Sequence, residues 1–361
     1  MEEKITRIDC NQLKTISSFQ KVIKIHKHSK KINHIDLFEN ILLSSGDDDL
    51  IIIIDLKTKK YINKIYDILN GTQYGYFYRI ISGDFEEKSI IYYGYKSYKI
   101  IIFDIIKNKP KFEAKIYLCP LIHFEYDIQS GLLITSQKNI ENFSIIWQSE
   151  ENGLKPIYKM ENCYYCIINN EKSNIFRCNK TEILESTLSN ISIYSYKMDN
   201  NENYKIEIAK NISKKFKYTI LLMNTLKNIY NKNEYYLLLM TENIIEIMNI
   251  MNENIIRSIS LQIFKPLQFS YCEPVFTHEV LVGFNNGEIE LYNPFSNNNK
   301  IQENIDEKND ESKRALNVIK YIKNREKNHL DRVVQIKMSI YYPLYVSASD
   351  EILIHLLEEK K

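Results

Sequence analysis

The sequence predicts an all-β chain, a seven-bladed β-propeller spanning residues 13–357, and three observations predict it. One phrase recurs along the chain: a small or polar turn, a run of apolar or alternating residues, then an aromatic or apolar residue followed by Asp, Asn or another polar residue. Taking Ile54, Phe103, Trp147, Tyr194, Met248, Tyr292 and His355 as the equivalent position, successive copies stand 49, 44, 47, 54, 44 and 63 residues apart. That period fits a four-stranded blade of about 40 to 45 residues with some loop growth. Finally, each copy reads as strands by residue type, β-branched and aromatic runs broken by Asn, Asp, Gly and Ser turns, while helical periodicity is nearly absent.

Taken in order, the chain opens with LKTISSFQKVIKI (13–25), a strand-like segment ahead of the first repeat. The clearest copies are SSGDDDLIIIIDLKTKK (44–60), YYGYKSYKIIIFDIIKNK (92–109), SQKNIENFSIIWQSEEN (136–152) and VGFNNGEIELYNPFSNN (282–298). Weaker ones are SNISIYSYKMDNN (189–201), MTENIIEIMNIMNEN (240–254) and VSASDEILIHLLEEK (346–360). After His329 there is room for three strands, VVQIKMS, PLYVSAS and EILIHLL. The segment 13–25 is therefore expected to supply the outer fourth strand of the last blade, which would remove an exposed sheet edge. Residues 297–328 break the rhythm: charged and Asn-rich, they read as a mostly flexible insertion between blades six and seven. Asp310 or Ser312 is placed to cap a short helix through Lys323, and a partner-binding helix is the competing reading.

Composition sets outer bounds. Hydrophobic residues make up 44% of the 361 and charged residues 26%, a globular balance. The longest apolar runs, such as LIIII at 50–54, fall short of the roughly 18 residues a membrane span needs. The polar start, MEEKITRIDC, lacks the pattern of a secretion signal, so an intracellular location, cytoplasmic or nuclear, is expected. A formal charge of +2 generates no field for general capture of nucleic acid, so neither direct nucleic-acid binding nor membrane binding is expected. Twenty-seven Tyr beside only 9 Gly, in a chain rich in Ile and Asn, is the bias of AT-rich codons, and it blurs any motif built on Gly, Trp, Arg or Asp.

The repeat resembles the WD-repeat family. His28 begins HSKKINHIDL and leads to LLSSGDDDLIIIIDL, similar to that family's His, apolar strand, Ser-Gly-x-x-Asp turn and strand ending in Trp-Asp. HLDRVVQIKM (329–338) followed by YVSASDEILIHLL (345–357) is a second such copy. Trp147 is the sole tryptophan, and the Asp after the Trp position stands as Asp55 and Asp104. The resemblance implies that His28 and His329 bond a turn acid, Asp49 in the first blade and Asp350 in the last, as braces within a blade.

Several features bear on chemistry. Cys163 and Cys166 form CYYC, with Cys178 twelve residues on, but no fourth ligand follows at zinc-finger spacing. On a continuous strand, residues three apart face opposite ways, so the pair reads as ordinary half-buried thiols, chelating only across a turn. Asp47, Asp48 and Asp49 read as a tight turn, because a hard-cation loop needs alternating oxygen ligands and a closing acid. No phosphate loop, nucleophile elbow or paired-arginine phosphoinositide signature occurs, and no cofactor is expected. Tyr74, Tyr76 and Tyr78 alternate in YGYFYR, which places them on one strand face as inter-blade packing or, in the competing reading, as a partner surface.

A frame of blades with no convergent acid, base or nucleophile is expected to be a non-enzymatic scaffold that docks other proteins in a multiprotein complex. The competing class is a propeller enzyme with His123, His278, Glu273 and Asp127 at a central channel. Within the WD family the chain resembles the G-protein-β-subunit-like branch associated with the ASTRA and TTT chaperone complexes. SIIYYGYKSYKIIIFDI, LLITSQKNIENFSIIW and EVLVGFNNGEIELYN followed by HLDRVVQIKMS carry that resemblance. It implies a role in assembling phosphatidylinositol-3-kinase-related kinases; ribosome assembly, RNA processing, chromatin and trafficking are the other settings for such scaffolds.

Overall fold

Strands here pair with their neighbours in sequence almost throughout, as short turns between β-branched runs dictate. The computed structural model describes residues 16–25, 28–78, 89–115, 119–137, 143–150, 153–161, 163, 165–169, 173–183, 186–199, 203–227, 235–260, 268–274, 279–292, 326–327, 329–339 and 344–359. Among these, every regular element is a strand, beginning with β1 (Ile16–Ile25). The first blade is β2 (Ile32–Phe38), β3 (Ile41–Gly46), β4 (Leu50–Asp55) and β5 (Lys60–Tyr66); the second is β6 (Gln73–Tyr78), β7 (Ser89–Gly94), β8 (Lys99–Asp104) and β9 (Lys109–Lys115). The third is β10 (Leu121–Asp127), β11 (Leu132–Gln137), β12 (Phe143–Glu150) and β13 (Gly153–Glu161), and the fourth β14 (Tyr165–Asn169), β15 (Asn174–Ile183), β16 (Ser186–Met198) and β17 (Tyr204–Asn211). The fifth is β18 (Leu222–Lys227), β19 (Tyr235–Met240), β20 (Ile244–Asn249) and β21 (Ile255–Ser260), and the sixth β22 (Phe269–Pro274), β23 (Val280–Phe284), β24 (Glu288–Tyr292) and β25 (Glu326–Lys327). The seventh runs β26 (Gln335–Met338), β27 (Leu344–Ala348), β28 (Ile352–Glu359) and then β1, in the spatial order β26-β27-β28-β1. These antiparallel four-stranded sheets are the blades of a seven-bladed β-propeller.

Blades one to four belong to one compact unit, within residues 26–219. Its middle strands are covered on both faces, which is why they read as continuous apolar runs and not as alternation. Ile51, Ile52, Ile53 and Ile54 on β4 are all buried, whereas β5 beside them is mostly exposed. Leu43, Ile51 and Ile53 pack against Phe77, Ile90, Tyr92 and Phe103 of the second blade. Ile91, Tyr93, Ile100 and Ile102 of that blade meet Phe124, Tyr126, Leu133 and Trp147 of the third. Burial of each such side chain contributes about 2 kcal/mol. The other unit, Thr6–Ile25 with Ile220–Lys361, holds blades five to seven. There Leu281, Ile289 and Leu291 pack against Val333, Ile336 and Tyr345.

The repeat is visible in fine structure. The third and fourth strands of five blades slip by one residue in register just before Ile54, Phe103, Trp147, Tyr194 and Met248, five of the seven positions aligned above. A bulge at a fixed place in each blade is a feature of the repeat itself.

β1 pairs antiparallel with β28 from Ile16↔Glu359 to Ile25↔Ile352, so the N-terminal segment does supply the fourth strand of the last blade. The segment expected to be an insertion, 297–328, lies largely outside the described residues, as does the helix expected within it. Its described end, Glu326–Lys327, is a correction: it forms β25 against Glu288 and Ile289, completing blade six. Among the described residues, no helix is long and apolar enough to cross a membrane.

Candidate functional site

The polar groups of the repeat meet inside single blades. In blade one, His28 Nδ1–H donates to Asp48 Oδ1 at 2.8 Å and Nε2 accepts from Ser44 Oγ at 2.9 Å. The Ser29 backbone N–H donates to Asp48 Oδ2 at 2.8 Å. Burial alone would raise the Asp48 carboxyl, but these bonds outweigh it and hold the group below the usual range. Gly46 makes room: a Cβ there would stand 2.7 Å from His28 Nδ1. The acid expected to face His28 was Asp49, and this is corrected by one residue. Asp49 takes the left-handed turn position, φ 60°, and turns its carboxylate to Lys96 Nζ at 2.6 Å and the Tyr95 hydroxyl at 3.2 Å. Asp47 accepts from Asn33, so the three acids serve three different partners.

Blade seven carries a fuller version. His329 Nε2 lies 2.8 Å from Ser347 Oγ, which lies 2.9 Å from His355 Nε2. A hydroxyl has one proton, so one imidazole N–H donates to Ser347 while Ser347 donates to the other. His355 stacks on Tyr345 at 4.1 Å between centroids. Burial depresses His329 to about 4 and His355 to about 3. His329 Nδ1 stands 4.0 Å from Asp350 Oδ1, too far for a hydrogen bond. His329, Asp350 and Glu351 are the described residues whose ligand atoms, within 4.8 Å of one another, are arranged to hold a cation. The Lys24 ammonium already contacts the Glu351 carboxylate there.

In blade three the Trp147 indole N–H donates to Thr135 Oγ1 at 2.8 Å. Ser44, Thr135 and Ser347 are structurally equivalent, each two residues past the strand partner of Ile54, Trp147 or His355. The acid after that position caps the next turn. Asp55 Oδ1 accepts from Lys57 N at 2.8 Å, and Asp104 Oδ1 from Lys107 N at 2.8 Å. Asn249 does the same in blade five, accepting from Met251 N at 2.8 Å, a role the search for Asp alone overlooked. All three turns place the fifth residue, Lys59, Asn108 or Glu253, at positive φ.

Tyr76 and Tyr78 are buried, which removes them from a partner surface. Their hydroxyls donate to Phe124 O at 2.9 Å and Gly153 O at 3.0 Å of the third blade. Burial pushes the Tyr78 phenol up to about 12. Tyr74, partly exposed, stacks on Phe124. Of the four residues considered for a channel, His123 faces Glu125 with Nε2 3.4 Å from Oε2, while Asp127 on the same strand accepts from the Ser130 amide at 2.6 Å. Glu273 lies on β22 of the other unit, and His278 lies outside the described residues.

Cys163 and Cys166 differ from the half-buried thiols expected. Both are fully buried, and their sulfurs stand 3.1 Å apart. β14 begins only at Tyr165, so Cys163 belongs to the connection from β13 and escapes the alternation rule.

No protein-family model and no curated protein matches the sequence.

Proposed function

We propose that this chain is a non-enzymatic WD-repeat scaffold that docks other proteins within a multiprotein complex. The observation that carries this is the turn after β5. Asp67 accepts from the Tyr92 hydroxyl at 2.6 Å and from Asn70 N at 3.1 Å, and Gly71 N donates to Asp67 O at 2.8 Å. This turn is pinned from beneath, yet it holds Ile68 and Leu69 outward, Leu69 at 88% exposure, next to an exposed Tyr66. Folding gains little from presenting two adjacent aliphatic side chains on an ordered turn, and their exposure supports the reading of a contact site. His28, Trp147 and His329 are meanwhile committed to braces within blades one, three and seven, which supports the WD-repeat reading. The finer reading, assembly of phosphatidylinositol-3-kinase-related kinases, rests on the sequence resemblance alone.

Affinity purification of the tagged protein, in parallel with an Ile68→Asp, Leu69→Asp variant, tests this. Wild type is expected to retain a partner in fixed stoichiometry that the variant loses while unfolding at the same temperature. A large kinase of that class, or its chaperones, among the retained proteins would support the finer reading. Identical recovery by both forms, or none by either, would remove the basis for the proposal.

A further inference from the structure

The fourth blade holds a chemical feature that docking does not use. Cys163 lies in the connection between β13 and β14 and Cys166 is the second residue of β14, and their Sγ atoms are 3.1 Å apart, about 1 Å from a disulfide bond length. The two thiols sit in unequal surroundings. Burial works against the ionisation of Cys163, but the hydrogen bonds with Cys166 and Ser144 and the charge of Arg177 outweigh it and hold the thiol below its ordinary range. Burial and then the Cys163 sulfur raise Cys166 well above that range. Arg177 is kept in place by donating to the Tyr194 hydroxyl at 2.8 Å and to the Glu161 carbonyl. The two sulfurs are thus within reach of one another and unequal in acidity, Cys163 the more readily ionised, the asymmetry of an attacking and a resolving thiol.

We propose that Cys163 and Cys166 are an oxidation site that a hydroperoxide converts to a reversible intrachain disulfide. The Cys163 thiolate attacks the outer peroxide oxygen, the O–O bond breaks, and the alcohol or water leaves after taking up a proton, giving Cys163 sulfenic acid. With the Cys163 negative charge gone, what raised Cys166 is reduced, and its sulfur attacks Cys163. The S–O bond breaks and hydroxide departs as water with the Cys166 proton. Two thiols lose two electrons and two protons, and one hydroperoxide is reduced.

Both cysteines are buried, so the reagent must be nearly as small as water and must enter through a local fluctuation of the fold. A bulky disulfide is excluded from the folded protein. Cys178 takes no part: it stands opposite Tyr165, one place along from the Cys166↔Arg177 pair, and so points to the other face of the sheet.

The test treats the full-length folded protein with hydrogen peroxide or with glutathione disulfide and follows it by thiol titration and peptide mapping. Peroxide is expected to remove two of the six thiols, with a Cys163–Cys166 bridge that dithiothreitol reverses, and glutathione disulfide to remove neither. A Cys166→Ser variant should yield a dimedone adduct at Cys163, and a Cys163→Ser variant none at Cys166. Retention of both thiols under peroxide in the wild type, a bridge to another cysteine, or overoxidation without a bridge would overturn the proposal. The wild-type mapping decides this even if a variant fails to fold.

Discussion

Trp147 and His355 occupy the same place in their blades and place a ring nitrogen within hydrogen-bond distance of the same kind of hydroxyl, Thr135 or Ser347. A Trp147→Phe variant keeps most of the packing and loses the bond, and is expected to lose about 1 kcal/mol in urea unfolding. Thr135→Val should cost a similar amount, with the double variant losing less than the sum, because both remove one bond. Strict additivity would mean the bond contributes nothing. The histidines of blade seven give a pH dependence. His329 and His355 are depressed from 6.5 to about 4 and about 3, so the unfolded chain binds protons that the folded one refuses. Their contribution is fully present above the unfolded value of 6.5 and is lost as pH falls below it. At pH 5 each should cost about 2 kcal/mol relative to neutral pH. Chemical denaturation at the two pH values checks this, and His355→Phe, which keeps the stack on Tyr345, should remove about half the difference. The expected His329–Asp350 bond does not form, the atoms standing 4.0 Å apart, and at His28 the sequence left Asp48 and Asp49 inseparable. Which of three adjacent carboxylates faces His28 depends on the backbone turning left-handed at Asp49, a conformational fact that composition does not carry.

Strand identity was readable wherever β-branched runs met Gly, Asn or Asp turns. Even the weaker fourth and fifth copies were aligned correctly, since the register slip falls at Tyr194 and Met248. What drifted was side-chain identity on a retained backbone. Asn249 accepts the same turn bond as Asp55, so Asn249→Asp should be neutral and Asn249→Ala should cost about 1 kcal/mol, measured by thermal unfolding. The dithiol was missed for a related reason: alternation was assumed through 163–166, whereas the strand starts at Tyr165. β1 carries the strongest prediction for an element. Deleting residues 1–25 strips β28 of its partner and Glu351 of Lys24, and it exposes a long strand edge. The truncated protein should aggregate, and a synthetic 13–25 peptide should restore it to solution. A truncated form that stays monomeric with an unchanged melting temperature would show that β1 is not needed.

At the scale of the whole molecule, seven copies of one repeat were legible because a blade is built from local pairings, and local pairings leave a period in the sequence. Function was far less legible, since the exposed Ile68 and Leu69 on which the docking proposal rests are singled out by no periodicity. Blade architecture is shared by many unrelated activities, so the surface must decide. The most direct test of the scaffold account is the native mass of the endogenous protein in gently prepared cell extract, by size exclusion followed by native mass spectrometry. The account predicts that most of the protein runs in an assembly well above the 43.0 kDa of the single chain, with another protein bound at a fixed ratio. Recovery chiefly as a free single chain would contradict it.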